Sequence, residues 1–253
     1  NLWNSLSSNV TGVNGSGVAE ISFSGFNNSV SDVSDCGIDV SNDLVNSNWW
    51  GPQVYGTGNS ISGVSTTESV KVRDWQSSYL ICAYSSSGSS FSNISLKLPY
   101  MEGNTTISGL AVNCMNSTFS NIEISGFNNG LVVYGSNNTF ENISTHDNNA
   151  TCAIKPSYWI NLPNQCIRLS YSGIYVPGYG TNGNSFHNVG SYKNKYGLSM
   201  SDGASEISFD NIALYNNSIG LVLSNMNNSK IYNLGTYNNT NGVSLQNSSN
   251  NIF

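Results

Sequence analysis

Charged residues are scarce in this sequence. Eight Lys and Arg and 14 Asp and Glu give a formal net charge of −6 over 253 residues. Charged side chains make up 9% of the chain, against about 25% in an average soluble domain. Lys and Arg form no cluster, and proteins that bind phosphate backbones need one. We therefore expect no nucleic-acid partner.

Long apolar runs and metal-binding motifs are also missing. No run of 18 apolar residues occurs, so we expect no membrane-spanning helix. The aspartates between residues 32 and 43 lack the glycine and the terminal glutamate of a calcium loop. No Cys-x-x-Cys motif occurs, which leaves no redox or zinc motif and leaves the cysteine pairing open. The five cysteines are Cys36, Cys82, Cys114, Cys152 and Cys166. We expect no metal and no other cofactor.

Asn and Ser supply the polarity of the chain, and Gly and Asn recur at fixed positions of a repeated unit. The unit opens with Gly and alternating apolar residues, as at Gly130-Leu131-Val132-Val133. It continues with an aromatic or aliphatic residue, one variable residue, Asn and a second aliphatic residue, as at Phe140-Glu141-Asn142-Ile143. Repetition of this kind is the sequence signature of a stacked repeat architecture.

The repeat has a spacing close to 22 residues if one irregular copy is accepted. Phe119 to Gly130, and Phe186 to Gly197, are both 11 residues apart. Placing Thr151 at the Gly position and Leu162 at the aromatic position fills the long interval after the Phe140 unit. The Asn positions are then Asn93, Asn121, Asn142, Asn164, Asn188, Asn211 and Asn233.

Each part of the unit has a physical role. Apolar residues that alternate with period 2 predict short strands with one buried face. Asn between two apolar residues predicts a tight bend, because Asn tolerates the left-handed conformation. Successive Asn side chains would then stack as a hydrogen-bonded ladder. The sequence therefore predicts an all-β parallel β-helix with rungs of about 22 residues, stacked about 4.8 Å apart.

The Asn positions and the Gly-apolar openings resemble those of right-handed parallel β-helix proteins of the pectate-lyase-like superfamily, especially the NosD-type repeats. The resemblance covers residues 91–253 well and the first ninety poorly. It implies a right-handed helix. It leaves function open, because that superfamily includes lyases, hydrolases, epimerases, tailspikes, adhesins and inert surface proteins.

The domain organisation follows from the repeat. Residues 1–35 are predicted to form an N-terminal cap or an irregular first rung, and residues 36–253 to form the parallel β-helix. The sequence has no initiator Met and ends at Phe253 partway through a repeat. We therefore expect the natural chain to be longer.

Many Asn-x-Ser/Thr sequons predict an extracellular glycoprotein. Two of them, at Asn93 and Asn142, coincide with the bend positions. The preferred glycosylation sites are Asn104, Asn116, Asn137, Asn149, Asn216, Asn227, Asn238 and Asn247. In its low charge and its many sequons, the sequence resembles archaeal surface proteins and archaeal-virus proteins.

One column of outward residues follows the aromatic positions. It contains Ser120, Glu141, Pro163, His187, Asp210 and Tyr232. His187 and Asp210 would lie on neighbouring rungs, as an oriented catalytic base or as an ordinary exposed ion pair. Glu141 would lie three rungs from Asp210, about 14 Å away, too far for a glycosidase carboxylate pair. Catalysis would then need Glu206 or Asp202.

A second column, six residues after the aromatic positions, is rich in rings. It contains Ser125, His146, Arg168, Tyr192, Tyr215 and Tyr237. Small residues, at Gly190, Ala213 and Gly235, precede the three tyrosines. Two long loops in consecutive rungs add Tyr158, Trp159 and Tyr179. These rings are predicted to stack on sugars. The alternatives are a ladder that only stabilises the sheet, loop rings that pack on each other, and an oligomer interface such as that of a homotrimer.

These features predict an extracellular protein that recognises a host cell-surface glycan, of the viral tailspike or cell-surface adhesin type. It would act in host attachment from a cell or virion surface. The first alternative is a polysaccharide-cleaving glycoside hydrolase or lyase that uses His187, Asp210 and Glu206. The second is a structural spike or surface protein without a ligand. Whether the chain is an enzyme stays open.

Overall fold

The chain folds as a parallel β-helix in the computed structural model. Backbone and side chains are described for residues 58, 60–63, 87–97, 108–148, 171–178, 181–201 and 203–253, and the backbone alone for the other strands named below. All the regular structure described is β-strand, and this part of the chain has no α-helix.

Two long parallel sheets contain most of the strands, which we number in chain order. Sheet A contains β1 (Leu2–Asn4), β4 (Ile21–Ser24), β7 (Gln53–Tyr55), β11 (Ser77–Cys82), β14 (Ile107–Val112), β16 (Asn129–Val133), β20 (Ser172–Val176), β22 (Tyr196–Met200), β24 (Ile219–Ser224) and β26 (Asn241–Gln246). Sheet B contains β2 (Asn9–Thr11), β5 (Ser29–Ser31), β8 (Ser60–Ser62), β12 (Ser90–Lys97), β15 (Thr118–Ser125), β17 (Thr139–His146), β21 (Ser185–Tyr192), β23 (Ser208–Tyr215) and β25 (Lys230–Tyr237), with β3 (Asn14–Gly15), β6 (Ser34–Asp35) and β9 (Ser65–Thr66) beside them. Two small pairs are β10 (Val70–Lys71) with β13 (Met101–Glu102), and β18 (Ala153–Ile154) with β19 (Cys166–Ile167).

Each circuit of the chain adds one strand to each sheet. In the regular part, β14, β16, β20, β22, β24 and β26 pair in order in Sheet A, and the strands between them pair in order in Sheet B. All these pairs are parallel. Strands before and after residue 35 join the same two sheets. The division of the chain at residue 35 stays a prediction.

The predicted bend at Asn is confirmed. Each eight-residue strand of Sheet B has an Asn at its fourth position, and these Asn have φ between 52° and 56°. The bend positions are Asn93, Asn121, Asn142, Asn188, Asn211 and Asn233. We call them the corner asparagines. Their exposed side chains form a ladder, in which Asn142 Nδ2 donates to Asn121 Oδ1 at 3.0 Å and Asn211 Nδ2 donates to Asn188 Oδ1 at 2.6 Å.

The predicted rung between Phe140 and Phe186 is wrong. The two rings stack directly, with centroids 4.6 Å apart. The corner asparagines of these rungs, 46 residues apart, bond to each other at 3.1 Å. Thr151, Leu162 and Asn164 therefore supply no separate rung between them. The extra residues form an insertion within one rung, and it includes the antiparallel pair β18 and β19.

The uniform rung length is therefore not confirmed. Steps along the corner asparagines are 28, 21, 46 and 23 residues. The parallel fold tolerates this variation because each rung needs only its strands and corners in register, and loops between them extend outward.

The core is a stack of identical positions. Five phenylalanines, each at most 1% exposed, stack with centroid spacings of 4.6–4.9 Å. They are Phe91, Phe119, Phe140, Phe186 and Phe209. The inward residues of Sheet A, such as Leu131, Ile174 and Leu198, pack with them. Burial of these side chains supplies the main free energy of folding.

A buried asparagine ladder, which the sequence analysis missed, lines one inner corner. Asn194 Oδ1 accepts from the backbone N–H of Asn148 at 2.9 Å, and Asn217 Oδ1 accepts from that of Asn194 at 2.9 Å. Their Nδ2 groups donate to backbone carbonyls inside the helix, such as that of Thr145. The ladder satisfies turn groups that no strand can pair. Each member lies six residues after a corner asparagine, and this constant offset was the available signal.

Candidate functional site

Each long strand of Sheet B presents two columns of outward residues, one on each side of its corner asparagine. The charged column runs through Ser120, Glu141, His187, Asp210 and Tyr232. The aromatic column runs from Ser125 through His146, Tyr192 and Tyr215 to Tyr237. Pro163 and Arg168 do not separate the neighbours in these columns, because the rung that would have carried them does not exist.

His187 and Asp210 are neighbours, as the sequence predicts. His187 Nδ1 lies 3.2 Å from Asp210 Oδ2, with side chains 48% and 43% exposed. Asn233 Nδ2 donates to Asp210 Oδ1 at 2.8 Å, so here the corner ladder turns aside from Asn211. Asp210 thus receives two contacts that fix its direction. A neutral His187 that donates from Nδ1 keeps Nε2 free to accept a proton.

The positions of the other acidic residues differ from the prediction. Glu141 pairs in register with His187, which in turn pairs with Asp210. Glu141 is therefore two rungs from Asp210, roughly 9.6 Å, and not three. This backbone spacing is close to the upper limit of the carboxyl separation in inverting glycosidases. Glu206 lies at a different, exposed corner with φ 56°. Asp202 falls outside the described residues.

The rings of the aromatic column stack face to face. Centroid distances are 4.8 Å for His146 and Tyr192, 4.7 Å for Tyr192 and Tyr215, and 4.9 Å for Tyr215 and Tyr237, with interplanar angles of 2–9°. The faces of Tyr192 and Tyr215 are therefore covered by their neighbours. These two faces are therefore unavailable to a sugar, and glycan binding at these residues stays a prediction. Ring edges remain on the surface, and Tyr237, the last ring, is 50% exposed.

A shallow floor lies beside the rings. Its residues pair in register along the sheet and are Ser144, Gly190, Ala213 and Gly235. A Cβ added to Gly190 would have no atom within 4 Å, and at Gly235 the nearest atom is 3.8 Å away. The exposed amides of the corner asparagines border the floor on its other side. The rings, the floor and the corner amides together form a strip. This strip can accommodate a ligand that offers hydroxyl groups to the amides and apolar edges to the rings.

The first ring of the aromatic column is held by charged side chains. His146 Nδ1 lies 2.8 Å from Asp147 Oδ2, and His146 Nε2 lies 3.1 Å from Glu123 Oε1. Lys193 Nζ lies 3.8 Å from Asp147 Oδ1. Carboxylates only accept, so both ring contacts are hydrogen bonds when both nitrogens carry protons. This cluster is not predicted from the sequence, although the strand register places Glu123 one rung below the ring.

Tyr215, in the middle of the stack, titrates differently from a free tyrosine. Burial, followed by repulsion from Tyr192 and Tyr237, raises the pKa of the Tyr215 phenol above its usual 10.0. We expect Tyr192→Phe or Tyr237→Phe to lower this pKa towards 10.0, as followed by the Tyr215 ring signal in NMR. The raised pKa stabilises the fold fully below the ordinary tyrosine pKa, and this contribution is lost as pH rises through the folded-state value. An unchanged pKa in both variants would contradict the stacked arrangement.

The remaining predicted binding residues, Tyr158, Trp159 and Tyr179, lie outside the described residues. The strand pairing does correct the placement of their loops. Both loops lie between β17 and β21, which are neighbouring strands. They therefore belong to one rung and not to consecutive rungs.

Most predicted glycosylation sites in the described ranges occupy exposed corners. Those with φ between 47° and 57° are Asn116, Asn137, Asn216, Asn238 and Asn247. Asn227 is exposed, and its Oδ1 accepts from Ser249 at 2.7 Å. Asn142 Nδ2 is already bonded in the corner ladder. Asn104 and Asn149 fall outside the described residues.

Three further observations bear on the compartment and on ligands. Cys114 is buried and disulfide-bonded. Within the described ranges, no three His, Cys, Asp or Glu side chains are grouped to hold a metal ion. The same ranges contain no helix of a length and apolarity that would cross a membrane.

Comparisons with solved structures find distant structural likenesses. No protein-family model matches the sequence, and no curated protein is significantly similar to it. The A-module of the mannuronan C-5 epimerase AlgE4 of Azotobacter vinelandii is 14% identical, with a TM-score of 0.44, over 96% of this chain and 73% of the other.

Two other structures are more distant. The A-module of AlgE6 from the same organism is 12% identical, with a TM-score of 0.32, over 96% and 78% of the two chains. The Streptococcus pneumoniae surface protein and adhesin PfbA is 11% identical, with a TM-score of 0.23, over 96% and 89%. The fold assignment therefore rests on the strand pairing of this chain, and its function must be argued from its own residues.

Proposed function

We propose that this chain is an extracellular β-helix that binds a glycan along the aromatic column. The observation that carries the proposal is the alignment of His146, Tyr192, Tyr215 and Tyr237 beside an open floor of small residues. Four rings in register on successive rungs offer the same contacts at a regular spacing. A ligand made of repeating units can use such a surface.

The chemistry of the strip favours hydroxyl-rich ligands. Tyrosine edges pack on the C–H groups of a sugar, and phenol and amide groups exchange hydrogen bonds with its hydroxyls. Few charges lie beside the floor apart from the cluster around His146. The strip therefore suits a neutral or weakly charged glycan better than a densely ionic one.

An extracellular location is part of this proposal. The disulfide at Cys114 is typical of oxidising compartments. Exposed sequons at the corners are sterically available to glycosylation. We propose host attachment, of the tailspike or adhesin kind, as the role of glycan binding. Assembly into a homotrimer stays a prediction, and the archaeal or virion origin expected from the style of the sequence has no support from the structure or the comparisons.

Glycan retention tests the proposal. We expect immobilised host-type surface glycans to retain the wild type and Tyr232→Ala, and Tyr215→Ala to bind about fivefold more weakly, because one aromatic contact contributes about 1 kcal/mol. Tyr232 is a matched control because it is 44% exposed on the same sheet but outside the aromatic column. Equal weakening in both variants would contradict a site on the aromatic column.

A second candidate, a polysaccharide-cleaving hydrolase or lyase, is favoured by one observation. Asp210 is held by Asn233 and contacts His187 Nδ1, which is the arrangement of an oriented base. The same incubation should therefore follow release of reducing ends. Release that disappears in His187→Ala/Asp210→Ala would establish the enzyme. Retention without release supports binding alone. If the glycan is neither retained nor cleaved, the structural role remains.

A further inference from the structure

The tyrosine stack has a chemical property that is independent of any glycan. Tyr192 and Tyr215 have ring centroids 4.7 Å apart at 9°, and Tyr215 and Tyr237 have centroids 4.9 Å apart at 2°. The three residues pair in register on parallel strands. Equivalent atoms of neighbouring rings therefore face each other, and the reactive ortho carbons lie at about the ring spacing.

We propose that Tyr192, Tyr215 and Tyr237 form an oxidative modification site, in which a one-electron oxidant joins two neighbouring phenols as a dityrosine across adjacent rungs. The oxidant class is that generated by a haem peroxidase with hydrogen peroxide. The reaction needs no residue of the charged column and no bound ligand.

The coupling is a two-electron oxidation shared by two phenols. Each of two phenols transfers one electron to the oxidant and one proton to water, which gives two phenoxyl radicals. The radicals combine through a new carbon–carbon bond between their ortho carbons. The hydrogen on each of these carbons then moves to the ring oxygen, which restores both phenols. The product has lost two hydrogen atoms in all, and two equivalents of oxidant have been reduced.

Proximity favours this site over other tyrosines. Tyr192 and Tyr215 are partly exposed, so an oxidant can reach the stack from the surface of the sheet. Each ring already contacts a neighbour, so coupling inside the chain competes well with an encounter between two molecules. Tyr232 is 44% exposed on the same strand, but among the described rings it has no stacked partner. Among the described rings, Tyr232 therefore has no preformed partner that would favour coupling inside the chain.

The close approach of the phenols also affects their ionisation. Burial, followed by repulsion from Tyr192 and Tyr237, raises the pKa of Tyr215. At neutral pH the phenols are protonated, and oxidation must release protons. The cross-link would tie together rungs whose backbone interval, 192 to 215 or 215 to 237, is 23 or 22 residues. Such a link restricts the unfolded chain, and the last rungs gain resistance to heat.

The test is oxidation of dilute protein by peroxidase and hydrogen peroxide. Dityrosine fluorescence and mass spectrometry of proteolytic peptides would be measured for the wild type, Tyr215→Phe and Tyr232→Phe. We expect a monomeric product in which the Tyr215 peptide is joined to that of Tyr192 or Tyr237. Tyr215→Phe keeps a ring in the stack but leaves the other two tyrosines roughly 9.6 Å apart. We expect this variant to lose about tenfold or more of the product inside the chain, because coupling depends on proximity.

Three outcomes would overturn the proposal. They are products found only between molecules, an undiminished yield inside the chain of Tyr215→Phe, and an equal yield from urea-unfolded wild type. Tyr232→Phe is expected to keep the wild-type yield of product inside the chain. A lower yield in this variant would also contradict the stack as the site. Because the assay contains no glycan, its result is separate from the test of glycan binding.

Discussion

Asn194→Ala is expected to lower the free energy of unfolding by about 3–5 kcal/mol, because it orphans buried polar groups on two rungs. Asn194 is 4% exposed. Its Oδ1 accepts from the N–H of Asn148, and its Nδ2 bonds the Thr145 carbonyl and the Ser191 hydroxyl. Alanine removes all three contacts without admitting bulk water. Urea unfolding, monitored by circular dichroism, measures the loss.

The corner ladder provides the control for this prediction. Asn188 also bonds along the stack, accepting from Asn211 at 2.6 Å and donating to Asn142 at 3.1 Å, but these contacts are exposed. Asn188→Gly keeps the left-handed backbone accessible, and water replaces the lost partners. We expect a loss of about 1 kcal/mol or less. Similar losses in the two variants would contradict the distinct roles of the inner and outer ladders.

Gly197→Ala is the second large effect, a destabilisation of about 2–3 kcal/mol from overpacking. A Cβ at Gly197 would lie 2.6 Å from the carbonyl oxygen of Gly220 and 2.8 Å from Asn217 Nδ2. The first of these atoms is backbone, and the second belongs to the buried ladder, so neither can move freely. The two rungs must separate locally, or the ladder must break.

A glycine on the neighbouring strand provides the control for Gly197→Ala. Gly190→Ala adds the same methyl group where no atom lies within 4 Å. We expect its free energy of unfolding to stay within about 0.5 kcal/mol of the wild type, as for an ordinary surface substitution. Thermal and urea unfolding of both variants provide the measurement. If Gly197→Ala were as stable as Gly190→Ala, the close approach of Gly197 to Gly220 would be wrong.

The same residue type serves several structural purposes, which limits what its spacing reveals. Asn recurs at exposed corners because it tolerates positive φ. It also recurs in the buried ladder, because its amide can accept from one rung and donate within another. Asn211 and Asn217 belong to these two classes, six residues apart in one rung. Only the first class is predictable from the spacing, because side-chain direction depends on the backbone path through each corner.

The corner positions also explain much of the sequon pattern. Asn216 and Asn238 have positive φ and follow Tyr215 and Tyr237 directly. A fold that favours Asn at exposed corners, in a chain rich in Ser and Thr, generates Asn-x-Ser/Thr sequences at its surface. The glycosylation sites therefore stay predictions, and the exposed corners make them sterically accessible.

The sequence by itself determined the parallel β-helix, the corner asparagines and the neighbour relations of His187 with Asp210 and of Tyr192 with Tyr215. These follow from local periodicity, because residues one repeat apart must stack. Only the tertiary structure decided which distant rungs meet. An interval of 46 residues between corner asparagines fits two short rungs or one rung with an insertion, and strand pairing alone distinguishes them. The tertiary structure also decided that the tyrosine rings cover one another, because ring orientation depends on packing between rungs and not on spacing along the chain.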